Sequence, residues 1–233
     1  MYYLTTFIGY ISAFFILLII LLLVLMQSLI GNQKIFDPLI KFLSRVLPAI
    51  FGIRVVRSGL SGDITEKPVI FMANHVNIFD VFILYGHIPS FIRAVELEDH
   101  FHWPIWGAIT RRMGNIPISH KNTQDALKSL DEAHAVISRG TSMAILPEGH
   151  RTRDGELQPF MRGPFRLAKM AKVDIIPVVM KGLWERKAVG SLLVLPGKVE
   201  LVFGERIQAE SFKEISDREL KDNVRGIILS MLE

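Results

Sequence analysis

The chain opens on an unbroken apolar run. Residues 1–33 carry no charged side chain, and Phe7 to Met26, FIGYISAFFILLIILLLVLM, is almost wholly apolar. Twenty residues rising about 1.5 Å each span roughly 30 Å, the hydrocarbon thickness of a bilayer. A signal peptide has a basic leader, a shorter apolar stretch and small residues at a cleavage site; this run lacks them. The expectation for residues 1–33 is a transmembrane or membrane-embedded helix. The first basic residues after it are Lys34, Lys41 and Arg45, which by the positive-inside rule puts the rest on the cytoplasmic side of an inner or cytoplasmic membrane.

Residues 34–52 show a second pattern. Asp37 followed by Pro38 reads as an N-cap and first helical position. Leu39, Ile40, Leu43, Val46 and Leu47 then fall on one side of a helix, and Lys41, Ser44 and Arg45 on the other. Such a helix packs on a core or lies on a bilayer. After Gly52 the period changes again. Strand-like runs at Ile53–Arg57, Val69–Met72, Phe91–Ala94, Asn115–Ile118, Met143–Leu146, Ile175–Val179 and Val199–Phe203 alternate with helix-like stretches such as Thr123–Ile137 and Gly163–Ala171. Phe212 to Leu232 reads as a closing helix. This alternation predicts an α/β fold, a central, largely parallel sheet flanked by helices, in one domain over residues 53–233.

Composition narrows the chemistry. There is no cysteine among the 233 residues, so disulfides and a cysteine nucleophile are excluded, and zinc would need an all-His/carboxylate site. The net charge of +4 comes from scattered Lys and Arg. With no basic run and no nucleic-acid signature, membrane surface and anionic lipid are the partners that fit.

Two segments at strand ends carry reactive groups. Asn74-His75-Val76-Asn77-Ile78-Phe79-Asp80 follows VIFMA. A neutral imidazole can take a hydroxyl proton near neutral pH, and a carboxylate on its other nitrogen would steady the imidazolium. Five residues apart on one helix would not face each other, so the pair needs His75 in the turn before the helix. Alone, this spacing suits a capped helix and a surface histidine equally well. Leu146-Pro147-Glu148-Gly149-His150-Arg151-Thr152 follows SMAI. A carboxylate, a glycine and an arginine there suit hydroxyl orientation and phosphate binding, though a charged turn explains them as simply. Asp99-His100-Phe101-His102 reads as a polar surface loop rather than a metal site, so no metal is expected.

In order, these segments resemble the 1-acylglycerol-3-phosphate acyltransferases, the PlsC-like glycerolipid acyltransferases. The resemblance covers about residues 68–180. Its first motif, Asn-His-x4-Asp, is complete at Asn74–Asp80. The third appears as LPEGHRT at Leu146–Thr152, the Pro-Phe stretch as Gln158 to Gly163, and the fourth as Ile176-Pro177-Val178-Val179. The resemblance implies His75 and Asp80 as the catalytic pair. It implies acceptor binding by Glu148 and Arg151, with Asn74 and Gly149 beside them. It also implies direct attack of a lysophospholipid hydroxyl, by default of 1-acyl-sn-glycerol-3-phosphate, on acyl-CoA or acyl-carrier protein, and no cofactor. The absence of Cys and of a Gly-x-Ser-x-Gly elbow agrees, leaving no obvious nucleophile for a covalent acyl-enzyme.

Departures cluster in the second motif, Gly114-Asn115-Ile116-Pro117-Ile118-Ser119-His120. The family's phosphate-binding arginine position is His120, with Lys121 next, and both are candidate substrate-binding residues. Val95 stands before Glu96-Leu97 where the family commonly has lysine. Arg93, Arg111, Arg112, Lys121 and Arg151 are candidate replacements. The changed motif keeps other acceptors open: a lyso-ornithine lipid, another lysophospholipid or a glycolipid. A lipid or thioester hydrolase and an inactive membrane-binding homologue are the remaining alternatives.

Overall fold

The computed structural model describes residues 2–59, 67–119 and 123–233. Seven strands form one sheet: β1 (Ile53–Ser58), β2 (Ile70–Ala73), β3 (Ile92–Leu97), β4 (Ile116–Ile118), β5 (Ser142–Ile145), β6 (Ile175–Lys181) and β7 (Gly197–Phe203). Their order across the sheet is β1-β7-β6-β2-β5-β3-β4. All neighbours run parallel except β6 and β7, so the sheet is largely parallel, as expected. β2, β5 and β6 are central and buried on both faces, which is why they read as continuous apolar runs rather than alternating ones.

Helices cover both faces. On one side lie α1 (Tyr2–Ile30), α2 (Asp37–Ala49), α3 (Asp80–His87) and α4 (Trp106–Met113); on the other, α5 (Thr123–Ser138), α6 (Gly163–Ala171) and α7 (Asp217–Leu232). Phe71, Phe79, Ile83 and Leu201 belong to the first core, and Ile70, Met72, Phe165 and Val224 to the second. The sequence pattern anticipates α3 only as the helix that follows the histidine turn and does not mark α4. Each has only 8 residues, too few for a helical period to stand out. The closing segment divides into a 3-10 turn at Ala209–Phe212 and α7, whose start is capped by Ser216 accepting the Glu219 N–H.

Helix α1 is long and apolar enough to cross a membrane, with mean hydropathy 3.0 over its most apolar window, only 28% of which is buried. That low burial separates it from an ordinary core helix. Yet one stripe, Thr6, Gly9, Ala13, Ile20, Leu23, Val24 and Gln27, is buried against the fold. Tyr10 packs edge-on to Phe51, and Ile20 and Val24 meet Ile40, Ile109 and Met113. The stripe runs about 30 Å along the helix, so the sheet domain lies beside α1 rather than beyond its end.

Helix α2 corrects the sequence reading in two details. Phe36, not Asp37, stands at the N-cap position. The two predicted sides do not separate: Lys41 and Ser44 are buried together with Ile40 and Leu47, while Leu39 and Phe42 are 44% and 53% exposed. The reason is a set of polar partners on α3 and beyond it. Lys41 pairs with Asp37 at 3.2 Å and donates to the Pro89 and Ser90 carbonyls. Asp37 also accepts the Tyr85 hydroxyl at 2.6 Å.

Candidate active site

The site sits at the carboxyl end of β2, where open α/β sheets hold ligands. The chain leaves Ala73 and makes a tight turn before α3 begins at Asp80, so His75 lies in the turn as the chemistry requires. Its Nδ1 is 2.6 Å from Asp80 Oδ2. Asp80 is fully buried, and its oxygens also accept the N–H groups of Val76 at 2.7 Å and Asn77 at 3.0 Å. Three donors thus fix one carboxylate, and the carboxylate fixes the ring. His75 is half-buried, leaving its Nε2 as the ring nitrogen not engaged by Asp80.

The third-motif segment wraps beneath this turn. Glu148 is 1% exposed; one oxygen accepts the His75 N–H at 2.5 Å and the other the Gln158 N–H at 2.7 Å. Burial pushes its carboxyl up to about 7, with the two backbone donors pulling it back down. Glu148 therefore faces into the fold and holds two loops. The Thr152 N–H donates to the His75 carbonyl at 2.9 Å, which places Arg151 next to the histidine turn. Arg151 is exposed, and no hydrogen bond or ion pair with another described residue holds it. Gly149 is left-handed at φ 74°, and a Cβ there would meet Met161 at 2.7 Å, so both backbone and space favour glycine.

Asn74 is likewise turned inward. Its Oδ1 accepts the Met180 N–H at 2.8 Å and its Nδ2 donates to the Met180 carbonyl at 3.4 Å, tying β2 to β6. His120 and Lys121 lie outside the described residues. Among the candidate replacement cations, Arg93 is buried, donates to Gln33 and stacks on Phe91, and Arg111 donates to the Phe101 carbonyl. The structure thus brings His75, Asp80, Glu148, Gly149 and Arg151 together. Asp99, His100 and His102 lie in a 3-10 turn, and no group of three or more His, Asp or Glu among the described residues is arranged to hold a metal ion. Two open hollows of about 360 and 610 Å³ flank edge strand β1, lined by Arg54, His87 and Lys198 among others. They do not include the His75 turn, whose chemistry, not its concavity, marks it out.

Asn77 was not singled out from the sequence. Its Nδ2 donates to the Leu183 and Lys187 carbonyls at 3.2 and 2.8 Å, and its Oδ1 accepts the Phe79 N–H. It fastens the histidine turn to the loop after β6. Those partners lie 106 and 110 residues away, so no local spacing announces them.

A family model described as Acyltransferase matches residues 55–181, more than half of the chain, from within β1 to the end of β6. The chain belongs to the Acyltransferase family. Relatives within it include a 1-acyl-sn-glycerol-3-phosphate acyltransferase of Cocos nucifera, 26% identical over 171 residues, with 73% of this chain and 55% of that protein covered. A probable 1-acyl-sn-glycerol-3-phosphate acyltransferase of Mycoplasma genitalium is 26% identical over 180 residues, covering 71% and 66%. The chain spans about half the length of the first curated relatives it matches. The crystal structure of the 1-acyl-sn-glycerophosphate (LPA) acyltransferase PlsC from Thermotoga maritima superposes with a TM-score of 0.86 at 21% identity, covering 99% of this chain and 94% of that one. The acyltransferase fold therefore extends over α1 and α2 as well as the family-matched core.

Proposed function

We propose that this acyltransferase-family chain moves a fatty acyl group from acyl-CoA or acyl-carrier protein onto the free hydroxyl of a lysophospholipid, by default 1-acyl-sn-glycerol-3-phosphate. The observation that carries the reading is the Asp80-fixed imidazole of His75; the names of the relatives support the acceptor. His75 Nε2 takes the hydroxyl proton as the acceptor oxygen attacks the thioester carbonyl. A C–O bond forms, the C–S bond breaks, and the proton passes to the departing thiolate. Asp80 steadies the imidazolium in between. Glu148, its oxygens committed to backbone N–H groups, acts by holding the His75 turn. Arg151, exposed beside that turn, supplies charge for an acceptor or donor phosphate.

The membrane reading follows from α1. Its exposed face carries Phe7, Ile11, Phe14, Phe15 and Leu22, apolar surface that fits lipid. A helix packed along about 30 Å of a folded domain is embedded beside that domain, with Leu39 and Phe42 of α2 on the same bilayer. The domain then works at the cytoplasmic face of a cytoplasmic membrane, next to its lipid acceptor. Residues 1–33, 34–52 and 53–233 are in this reading the embedded helix, the interfacial helix and the catalytic domain.

A second acceptor is favoured by one observation: Val95 and His120 stand where the family carries cations. The test is purified enzyme with a labelled thioester donor and a panel of lysolipids. Label on lysophosphatidic acid supports the default. Label only on another lysolipid shifts the acceptor, and free fatty acid without transfer would make the enzyme a hydrolase.

A further inference from the structure

The loop between β6 and β7 contains Ala188-Val189-Gly190-Ser191-Leu192-Leu193-Val194-Leu195-Pro196, nine residues without a charge. It has no regular structure, and Leu192 at its tip is 82% exposed. In water such an apolar tip gains nothing. The backbone pairing of the loop is partial: the N–H groups of Ser191, Leu193, Val194 and Leu195 find partners among the described residues, and those of Ala188, Val189, Gly190 and Leu192 do not. The Ser191 N–H donates to the Ala188 carbonyl, and the Ser191 carbonyl accepts Lys187 Nζ. Ser191 Oγ accepts the Leu193 N–H and donates to the Leu193 carbonyl. The Leu195 N–H donates to the Arg186 carbonyl at 2.8 Å. The unpaired N–H groups set the backbone of the loop at the headgroup layer, where water reaches them, with only the Leu192 side chain free to enter the acyl chains.

The remaining ties reach α1. Thr6 Oγ1 donates to the Val194 carbonyl at 3.1 Å and accepts the Val194 N–H at 3.2 Å; the Tyr10 hydroxyl donates to the Leu192 carbonyl at 2.9 Å. Leu192 is therefore held at the depth of Thr6 and Tyr10, flanked on α1 by the exposed Tyr3, Leu4 and Phe7. Glu185, Arg186 and Lys198 bracket the loop, polar groups suited to the headgroup layer.

We infer that the Ala188–Pro196 loop is a second membrane-contacting element, with Leu192 inserted among acyl chains beside the amino-terminal half of α1. This rests on the reading of α1 as membrane-embedded. The loop also has its root on the active site, since Asn77 holds the Leu183 and Lys187 carbonyls, so the same segment touches lipid and the histidine turn.

The chain has no cysteine, so single labels are clean. Leu192→Cys, Phe15→Cys on α1 and Arg166→Cys on the opposite face of the sheet are each labelled with an environment-sensitive fluorophore. The full chain is then reconstituted in vesicles of phosphatidylglycerol and phosphatidylethanolamine with or without lipids carrying a quencher on the acyl chain. The expected result is quenching at Leu192 close to that at Phe15, with Arg166 unquenched. Quenching at Phe15 while Leu192 behaves like Arg166 would overturn the inference alone. No quenching at Phe15 would overturn the embedded helix and the inference with it.

Discussion

In the proposed mechanism His75 acts through Nε2, while Asp80 holds Nδ1 at 2.6 Å. Replacing His75 with Ala removes the base and leaves the Asp80 contacts to Val76 and Asn77 in place. Activity should fall by about 10²–10⁴-fold, with circular dichroism and vesicle association unchanged. Glu148 gives a different signature because it holds backbone. In Glu148→Gln the amide NH₂ must face one of two N–H donors, leaving a buried donor unpaired at about 1–3 kcal/mol, which denaturant unfolding in detergent reads. Its pH dependence has a definite sign. The folded carboxyl titrates at about 7 against an ordinary 4.5, so across that window the folded chain binds a proton that the unfolded chain has released. The stability due to Glu148 therefore falls as pH rises through the window. Relative to Glu148→Gln, the wild type should lose up to about 3 kcal/mol between about pH 5 and pH 8. A pH-independent difference would contradict that.

At the scale of elements, α1 behaves as part of the fold. Its buried stripe covers Leu47, Phe51, Ile109 and Met113. A chain lacking residues 1–31 should aggregate or melt well below the full chain in the same detergent, whereas a detachable anchor would leave the midpoint unchanged. Asn77→Ala should leave the Leu183 and Lys187 carbonyls without their donor and lower kcat by loosening the histidine turn, measurable as a loss in kcat with KM less affected. The strand runs and α5 and α6 were legible because each is a clean apolar or amphipathic segment. Helix α2 was legible as a helix but not in its orientation. Periodicity shows which residues share a face; it does not show that Lys41 finds Asp37 and two carbonyls inside while Leu39 and Phe42 face outward.

Across the whole molecule, the sheet's class could be read from the alternation along the chain, and the joint working of the two motifs was implied by the family resemblance. The tasks of the residues within those motifs could not. Asn74 and Glu148 look like ligand-binding polar groups in one dimension, and in three they are taken up by Met180, His75 and Gln158. Such partners come from strands and loops far along the chain, and only the fold brings them near. Arg151 stands exposed beside the His75 turn, where the proposed function would have it meet an anionic substrate. The central claim is acyl transfer through the Asp80-held imidazole. The most direct measurement offers purified wild type and His75→Ala a labelled acyl thioester and lysophospholipids in mixed micelles. The account predicts label in the diacyl product with the wild type and a loss of about 10²–10⁴-fold with His75→Ala. Undiminished transfer by His75→Ala, or no lysophospholipid acylated by the wild type, would contradict it.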